Sequence, residues 1–269
     1  MYDSVTDCRI CDSGSLSDVL DLGAQPPANS LRYPSEPAPA PVPLRLVQCL
    51  CCQTAQITAT VRPQELFGNY LWVTGTSAAA RRYSGMFVDW VEKAVSGLGG
   101  TTTVAPRFVV EVASNDGTFL RRFQDRGWQV LGVEPAGNIA REAVAAGVST
   151  VSEFFTADVA DDLMRKHGCA DVVVARNVVP HVADIHSLLE GLTIVSGDSG
   201  VVVIEVHAAE VILSDLHYDS IYHEHLCYFS IRSMTYLLNR FGLNPFHIEI
   251  SPISGGSWVI YFSKMIVIN

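Results

Sequence analysis

The sequence predicts an α/β protein with a mainly parallel, doubly wound sheet behind a small cysteine-rich module. Three observations carry this expectation. From residue 108 onward, short apolar runs alternate with segments of helical spacing. Five of the seven cysteines fall before residue 53. Apolar residues make up 48% and charged residues 17% of 269, enough for one large domain or two modest ones with a real core. The net charge of −10 argues against nucleic-acid binding, which needs a basic surface. No window approaches the apolar run of a membrane helix, and the start MYDSVTDC has no basic or apolar leader region. The expectation is a soluble, cytoplasmic protein with no membrane partner.

Clustered cysteines in such a protein point to metal before disulfides. Cys8-Arg-Ile-Cys11 is one CxxC knuckle, and Cys49-Leu-Cys51-Cys52 holds a second at Cys49 and Cys52. Four thiolates suit tetrahedral Zn²⁺ and leave no open position, so the ion is expected to be structural. Cys51 is an alternative to Cys52 as ligand, and buried free thiols are the competing reading. Between the knuckles, Pro34 to Pro43 (PSEPAPAPVP) cannot be a regular helix and reads as an exposed excursion. Leu44 to Gln48 then alternates like a strand.

In the central region, Phe108 to Val112 is an apolar run, Ser114-Asn-Asp-Gly117 a turn, and Thr118 to Arg126 a helix. Gln129 to Val133 is a second strand ending in Glu134-Pro135. Next come a helix over Asn138 to Ala146, a short strand near Val148 to Val151, and a helix over Ala157 to His167. Asp171 to Ala175 and Val201 to Val206 are continuous apolar strands, as when both faces of a sheet are covered. Ser230 caps a helix running to Phe241, with Gly242 as its stop. Phe246 to Ile250 and Trp258 to Phe262 are strand-like. In a doubly wound sheet the ligand lies over the carboxyl ends of the strands. Gly117 there could admit a ligand close to the backbone, while Asp116 would repel a pyrophosphate. Glu134 could take both hydroxyls of a ribose, so a nucleoside cofactor without phosphates at the first turn, S-adenosylmethionine, fits better than NAD.

The stretch IYHEHLCYFS, Ile221 to Ser230, gathers Tyr222, His223, Glu224, His225 and Tyr228 after the fifth strand. It should hang over the same sheet edge as Glu134 and Gly117. Were Ile221 to Leu226 extended, His223 and His225 would share a face as a metal pair, but no carboxylate on that face completes a set. His223 reads as solvated or as a supporting residue, and Tyr228 and Phe229 as packing onto the sheet. His207, His217 and His247 read as structural, and His181 beside Pro180 as either a cap or a site residue.

Taken in order, CRIC, CLCC, EVASNDGTF, GVEP, EFF, ARNVVPHV and IYHEHLCYFS resemble the zinc-containing C-methyltransferases of nucleotide-linked 4-keto-deoxysugars in antibiotic pathways. The resemblance runs from Cys8 to about Ser257. It implies a class I (Rossmann-like) methyltransferase with a zinc-binding domain over 1–62 and an S-adenosylmethionine domain over 63–250. The remainder, 251–269, is the last strand or a remnant of a C-terminal domain. It implies that Glu111, Ala113, Asn115, Gly117, Glu134, Pro135 and Asn177 line the cofactor, with Phe154 and Phe155 near the adenine. His181, Tyr222, Glu224 and His225 would surround the reacting sugar. Here His225 would be the base, Tyr222 and His181 the donors to the ketone, and Glu224 an orienting group. The chain departs from the family at Ser254 and Val259, where a histidine and an arginine are usual, and at Trp72 in NYLWVTGTS, where a tyrosine is expected. Two other readings stay open: a different small-molecule acceptor, or an idle binding subunit.

Overall fold

The computed structural model describes residues 2–30, 32–67, 72–98 and 107–265. The N-terminal module consists of β1 (Tyr2–Ser4), β2 (Leu16–Gln25), β3 (Val42–Cys49), β4 (Ala55–Ile57) and β5 (Ala59–Val61). The proline-rich run is irregular and exposed through Pro41, after which Val42 and Pro43 join β3. A short α1 (Pro63–Phe67) and a long α2 (Ala78–Gly97) lead into the alternating region. Ser77 caps α2 by accepting from the Ala80 amide, and Tyr83, Phe87, Val88 and Val91 form its buried side.

The alternating region follows the sequence reading to within a few residues. It runs β6 (Phe108–Val112), α3 (Thr118–Gln124), β7 (Gln129–Val133), α4 (Gly137–Ala145), β8 (Thr150–Val151) and α5 (Ala157–His167). It continues as β9 (Val172–Arg176), α6 (Ile185–Ser196), β10 (Val201–His207), α7 (Ala209–Ser214), β11 (Cys227–Tyr228), α8 (Ile231–Asn239), β12 (Asn244–Ser251) and β13 (Ser257–Ser263). Ser230 caps α8 in a reciprocal box with Ser233.

Seven strands form one sheet in the order β12-β13-β10-β9-β6-β7-β8. β8, β7, β6, β9 and β10 are parallel, and β13 enters antiparallel between β10 and β12. Trp258 to Phe262 is therefore a strand of this sheet. One face packs on α2 and α3 through Phe87, Val88, Phe119 and Phe123. The other packs on α5, α6 and α8 through Leu163, Leu189, Leu192 and Leu237. Cys8, Ile10, Cys49 and Cys52 belong to that second core, so the N-terminal module and the large sheet share buried surface.

A second joint is made of strand. β11 pairs antiparallel with β4, with Cys227 opposite Gln56 and Tyr228 opposite Ala55, and closes a four-stranded sheet β11-β4-β3-β2. The Arg240 guanidinium just after α8 also donates to the Ile10 carbonyl inside the first cysteine knuckle. No helix among the described residues is long and apolar enough to cross a membrane.

Candidate active site and metal centre

The two knuckles meet. Cys8 and Cys52 sulfurs lie 3.5 Å apart and those of Cys11 and Cys49 3.6 Å, with all four within 4.8 Å of one another. Four sulfurs around Zn²⁺ at ordinary Zn–S length sit about 3.8 Å apart, so the set fits this ion without rearrangement. Backbone amides aim at the sulfurs: Ile10 N lies 3.4 Å from Cys8 Sγ, and Cys51 N lies 3.4 Å from Cys49 Sγ. The hydrogen bond with Cys8 lowers the pKa of the Cys52 thiol. Cys51 is exposed and outside the cluster, which settles the choice between it and Cys52.

The cofactor edge is built from the turn after β6 and the end of β7. Ala113, Asn115 and Gly117 have φ of 54°, 52° and 73°, and Asn177 after β9 has 50°. Left-handed backbone at non-glycine residues carries strain, and such positions concentrate at ligand sites. The Glu134 carboxylate, 4% exposed, accepts from the amides of Asn115 (2.8 Å) and Ala136 (2.9 Å), one on each oxygen. Each oxygen keeps a further lone pair for a hydroxyl donor. Burial pushes this carboxyl up, and the two amides oppose it. Pro135 is half-buried beside it.

Gly117 is also required by packing. A Cβ there would meet Val148 at 2.9 Å, so φ and packing call for the glycine, and that direction is closed to a ligand. Asp116 is explained as well: its carboxylate accepts from Thr118 N at the start of α3 and from Gly75 N. Asn115 bridges to the same segment, accepting from Thr74 N (2.8 Å) and donating to the Trp72 carbonyl (3.0 Å). The Trp72 side chain is 59% exposed at this rim, whereas residues 69–71 of NYLWVTGTS lie outside the described residues.

Glu111 lies deeper than its neighbours. It is 1% exposed and bonds Arg176 Nε (3.0 Å), while Arg176 Nη1 reaches Glu205 (3.3 Å) and Tyr83 donates to the other Glu205 oxygen (3.0 Å). Burial raises the Glu111 carboxyl to about 7 against the pull of Arg176. Its Oε2 is buried without a hydrogen-bond partner among the described residues. Arg176, Glu205 and Tyr83 escaped the sequence reading, although Arg176 ends an otherwise apolar strand. Phe155 is a core residue whose ring sits where a Cβ on Gly191 would be, 2.7 Å away. Phe154, by contrast, is 39% exposed.

The loop Ile221 to Leu226 is a turn closed by His225 N donating to the Tyr222 carbonyl (3.0 Å), so the alternative of an extended loop with a His-x-His pair does not apply. His223 is buried, not solvated; its Nε2–H donates to the Val42 carbonyl (3.1 Å). The turn instead brings Tyr222 onto His225. His225 Nδ1–H donates to the Ser220 carbonyl (2.9 Å), which fixes the tautomer and leaves Nε2 to accept from the Tyr222 hydroxyl (3.1 Å). Burial, then the neighbouring His181, hold His225 down to about 3, and burial holds His181 down to about 4.

His181 and His207 stack edge-on to His225 at 4.8 and 5.3 Å. His207, read as structural from sequence, thus belongs to the site; its position at the carboxyl end of a parallel strand was the available signal. With Asn177, Ile212 and Tyr228, the three histidines line a cavity of about 10 Å³, room for one water. Tyr228 bonds Ser220 O and Phe229 enters the core, as the packing role requires. Glu224 does not reach His225. Its carboxylate points to the N-terminal module, where Asn29 Nδ2 donates to Oε1 at 2.6 Å. Val259 is fully buried in β13, so that position offers an acceptor no charge.

A family model described as "Methyltransferase domain" matches residues 87–248, and one described as "Putative zinc binding domain" matches residues 8–67. The chain is 30% identical over 259 residues to the C-methyltransferase NovU of Streptomyces niveus, covering 96% of this chain and 60% of that protein's length. Among solved structures it resembles magnesium protoporphyrin IX methyltransferase ChlM of Synechocystis PCC 6803 with bound SAH. The TM-score is 0.52 at 12% identity, over 70% of this chain and 84% of that one. It resembles the PH0226 protein of Pyrococcus horikoshii OT3 with the same score and identity, over 76% and 96%. At such identities the likeness is one of fold. The four-cysteine cluster, the sheet order and the two family matches agree, and the chain belongs to the methyltransferase family, with a zinc-binding domain ahead of the seven-stranded sheet.

Proposed function

We propose that the protein is an S-adenosylmethionine-dependent C-methyltransferase that acts on a nucleotide-linked 4-keto-deoxysugar through a base-generated enolate. One observation carries the reading: a neutral imidazole of fixed tautomer, His225, pairs through Nε2 with a tyrosine hydroxyl at the sheet edge that also holds Glu134. Similarity to a C-methyltransferase supports transfer to carbon.

S-adenosylmethionine supplies a methyl group that needs alignment and no further activation. Glu134 would offer its free lone pairs to the ribose hydroxyls, Glu111 would take a donor, and Asn177, Pro135 and Phe154 would line the rest of the cofactor site. On the acceptor side, a ketone acidifies the proton on the adjacent carbon. His225 Nε2 takes that proton, and the C–H electron pair moves into the enolate, whose carbon would take the methyl as the S–CH3 bond breaks and its pair stays on sulfur. Burial keeps His225 unprotonated beforehand, and the negative charge formed beside it favours the imidazolium at the moment of transfer. The Tyr222 hydroxyl, released from Nε2, and His181 stabilise the enolate oxygen.

The test is transfer of labelled methyl to a dTDP-4-keto-2,6-dideoxyhexose by wild type and His225→Ala. Loss of a base predicts a fall in kcat of roughly 10²- to 10⁴-fold with S-adenosylhomocysteine binding unchanged. Wild type that binds the cofactor yet leaves the keto-sugar unmethylated would sink the acceptor assignment.

A further inference from the structure

We propose that Asn29, carried by the N-terminal module, is a positioning residue of the catalytic centre: its amide orients the Glu224 carboxylate and leaves the second oxygen for a donor on the acceptor. The proposal rests on the reading of Ile221 to Ser230 as the catalytic loop.

Glu224 is 2% exposed, yet its Oε2 is buried without a partner among the described residues. A buried carboxylate oxygen left bare is costly, and a catalytic or ligand-binding role is one reason for a protein to retain it. The other oxygen is held by Asn29 Nδ2 at 2.6 Å, across 195 residues of chain. Asn29 sits in the irregular, mostly exposed connection between β2 and β3, where Ser30 N turns back to the Pro27 carbonyl.

The loop backbone does not need this bond. His223 is tied to Val42 O, Leu226 O accepts from Ile57 N, and β11 pairs with β4. Removing the amide therefore frees the carboxylate and not the loop. The bond also sets charge: burial pushes the Glu224 carboxyl up, and Asn29 draws it down, toward the acceptor form that a substrate hydroxyl requires. The titratable groups around it are His181 on the turn after β9, whose ring bonds the Glu224 backbone, and Tyr222, His223 and His225 on its own loop. Among the described residues no lysine, arginine or second carboxylate bonds to Glu224.

The experiment has an arm that needs no acceptor. In zinc-loaded protein saturated with S-adenosylhomocysteine, the carboxyl band of Glu224, assigned by its loss in E224Q, is titrated by infrared difference spectroscopy. Asn29→Ala should move its midpoint up by about one pH unit or more, with zinc content and S-adenosylhomocysteine affinity unchanged. In turnover, kcat/KM for the keto-sugar should fall about tenfold or more while KM for S-adenosylmethionine holds. Asn29→Asp keeps the shape. It should work toward acid pH, where one proton is shared between the two carboxyls, and fail toward alkaline pH, where they repel. A Glu224 midpoint unmoved in Asn29→Ala, or an Asn29→Asp protein with the wild-type pH profile, overturns the proposal. If the keto-sugar is not an acceptor at all, the titration still decides the role of Asn29.

Discussion

The cofactor edge and the catalytic loop sit at the same end of the sheet but are held in opposite ways. Asn115, Asp116 and Glu134 are fixed by amides of their own turn and of residues 74–75, 41 residues upstream. The catalytic loop is fixed from far away in the chain: His223 to Val42, Glu224 to Asn29, Leu226 to Ile57, and β11 to β4. The cofactor edge is thus tied within residues 72–136, whereas the loop Ile221 to Leu226 is tied to the N-terminal module.

The strongest way to break this comparison is to remove the metal. Cys49→Ser, or chelation, withdraws a structural-zinc contribution on the order of 10 kcal/mol from the module. Methyl transfer should be lost while S-adenosylhomocysteine still binds within about threefold, by calorimetry, if the cofactor half carries itself. Cofactor binding lost together with turnover would show that the two halves are not separable. The reciprocal change is Glu134→Ala, which removes a charged acceptor from the cofactor edge. Cofactor Kd should rise roughly 10- to 100-fold with kcat at saturation little changed; a collapse of kcat alone would place Glu134 in the chemistry instead.

Gly75→Ala probes the strap over the cofactor turn. A Cβ there would sit 2.2 Å from Asp116 Oδ2 and 2.8 Å from Thr118 Oγ1, so the segment must lift. The expected cost is about 1–3 kcal/mol of stability, with weaker cofactor binding. An unchanged Tm and Kd would mean that the segment yields freely. The smallest effect is one of pH. The folded His225 is held down to about 3, while the unfolded residue titrates near pH 6.5. As pH falls below about 6.5 the unfolded chain takes up the proton first, so stability present above that pH is lost progressively toward about 3. The slope reaches about 1.4 kcal/mol per pH unit, and His225→Gln should flatten the fall in Tm between pH 7 and 5. Parallel curves for the two proteins would contradict the burial of a neutral ring.

The parallel strands were legible because valine on both faces leaves few other structures open to Phe108 to Val112 or Val201 to Val206. The cysteine knuckles were legible because CxxC spacing is a local property. The reversal of β13 was not, since an apolar strand reads alike in either direction. Nor was the Tyr222–His225 pair as such: it depends on a turn at residues whose composition does not force one, and extension would have separated the two side chains. Asn29 and His207 were missed for a shared reason. Each is an ordinary polar residue whose significance comes from a partner far along the chain, and periodicity carries no information about that.

The two-residue pairing of β11 with β4 also sets an order of events during synthesis. The N-terminal module emerges first, yet its β4 edge lacks this partner until Cys227 and Tyr228 have been made and the strands between them have formed their sheet. An unpaired strand edge is where chains associate wrongly. The β4 edge is thus left open until residues 227–228 are in place, and the same pairing that closes it fastens the stretch after Ile221 to the N-terminal module.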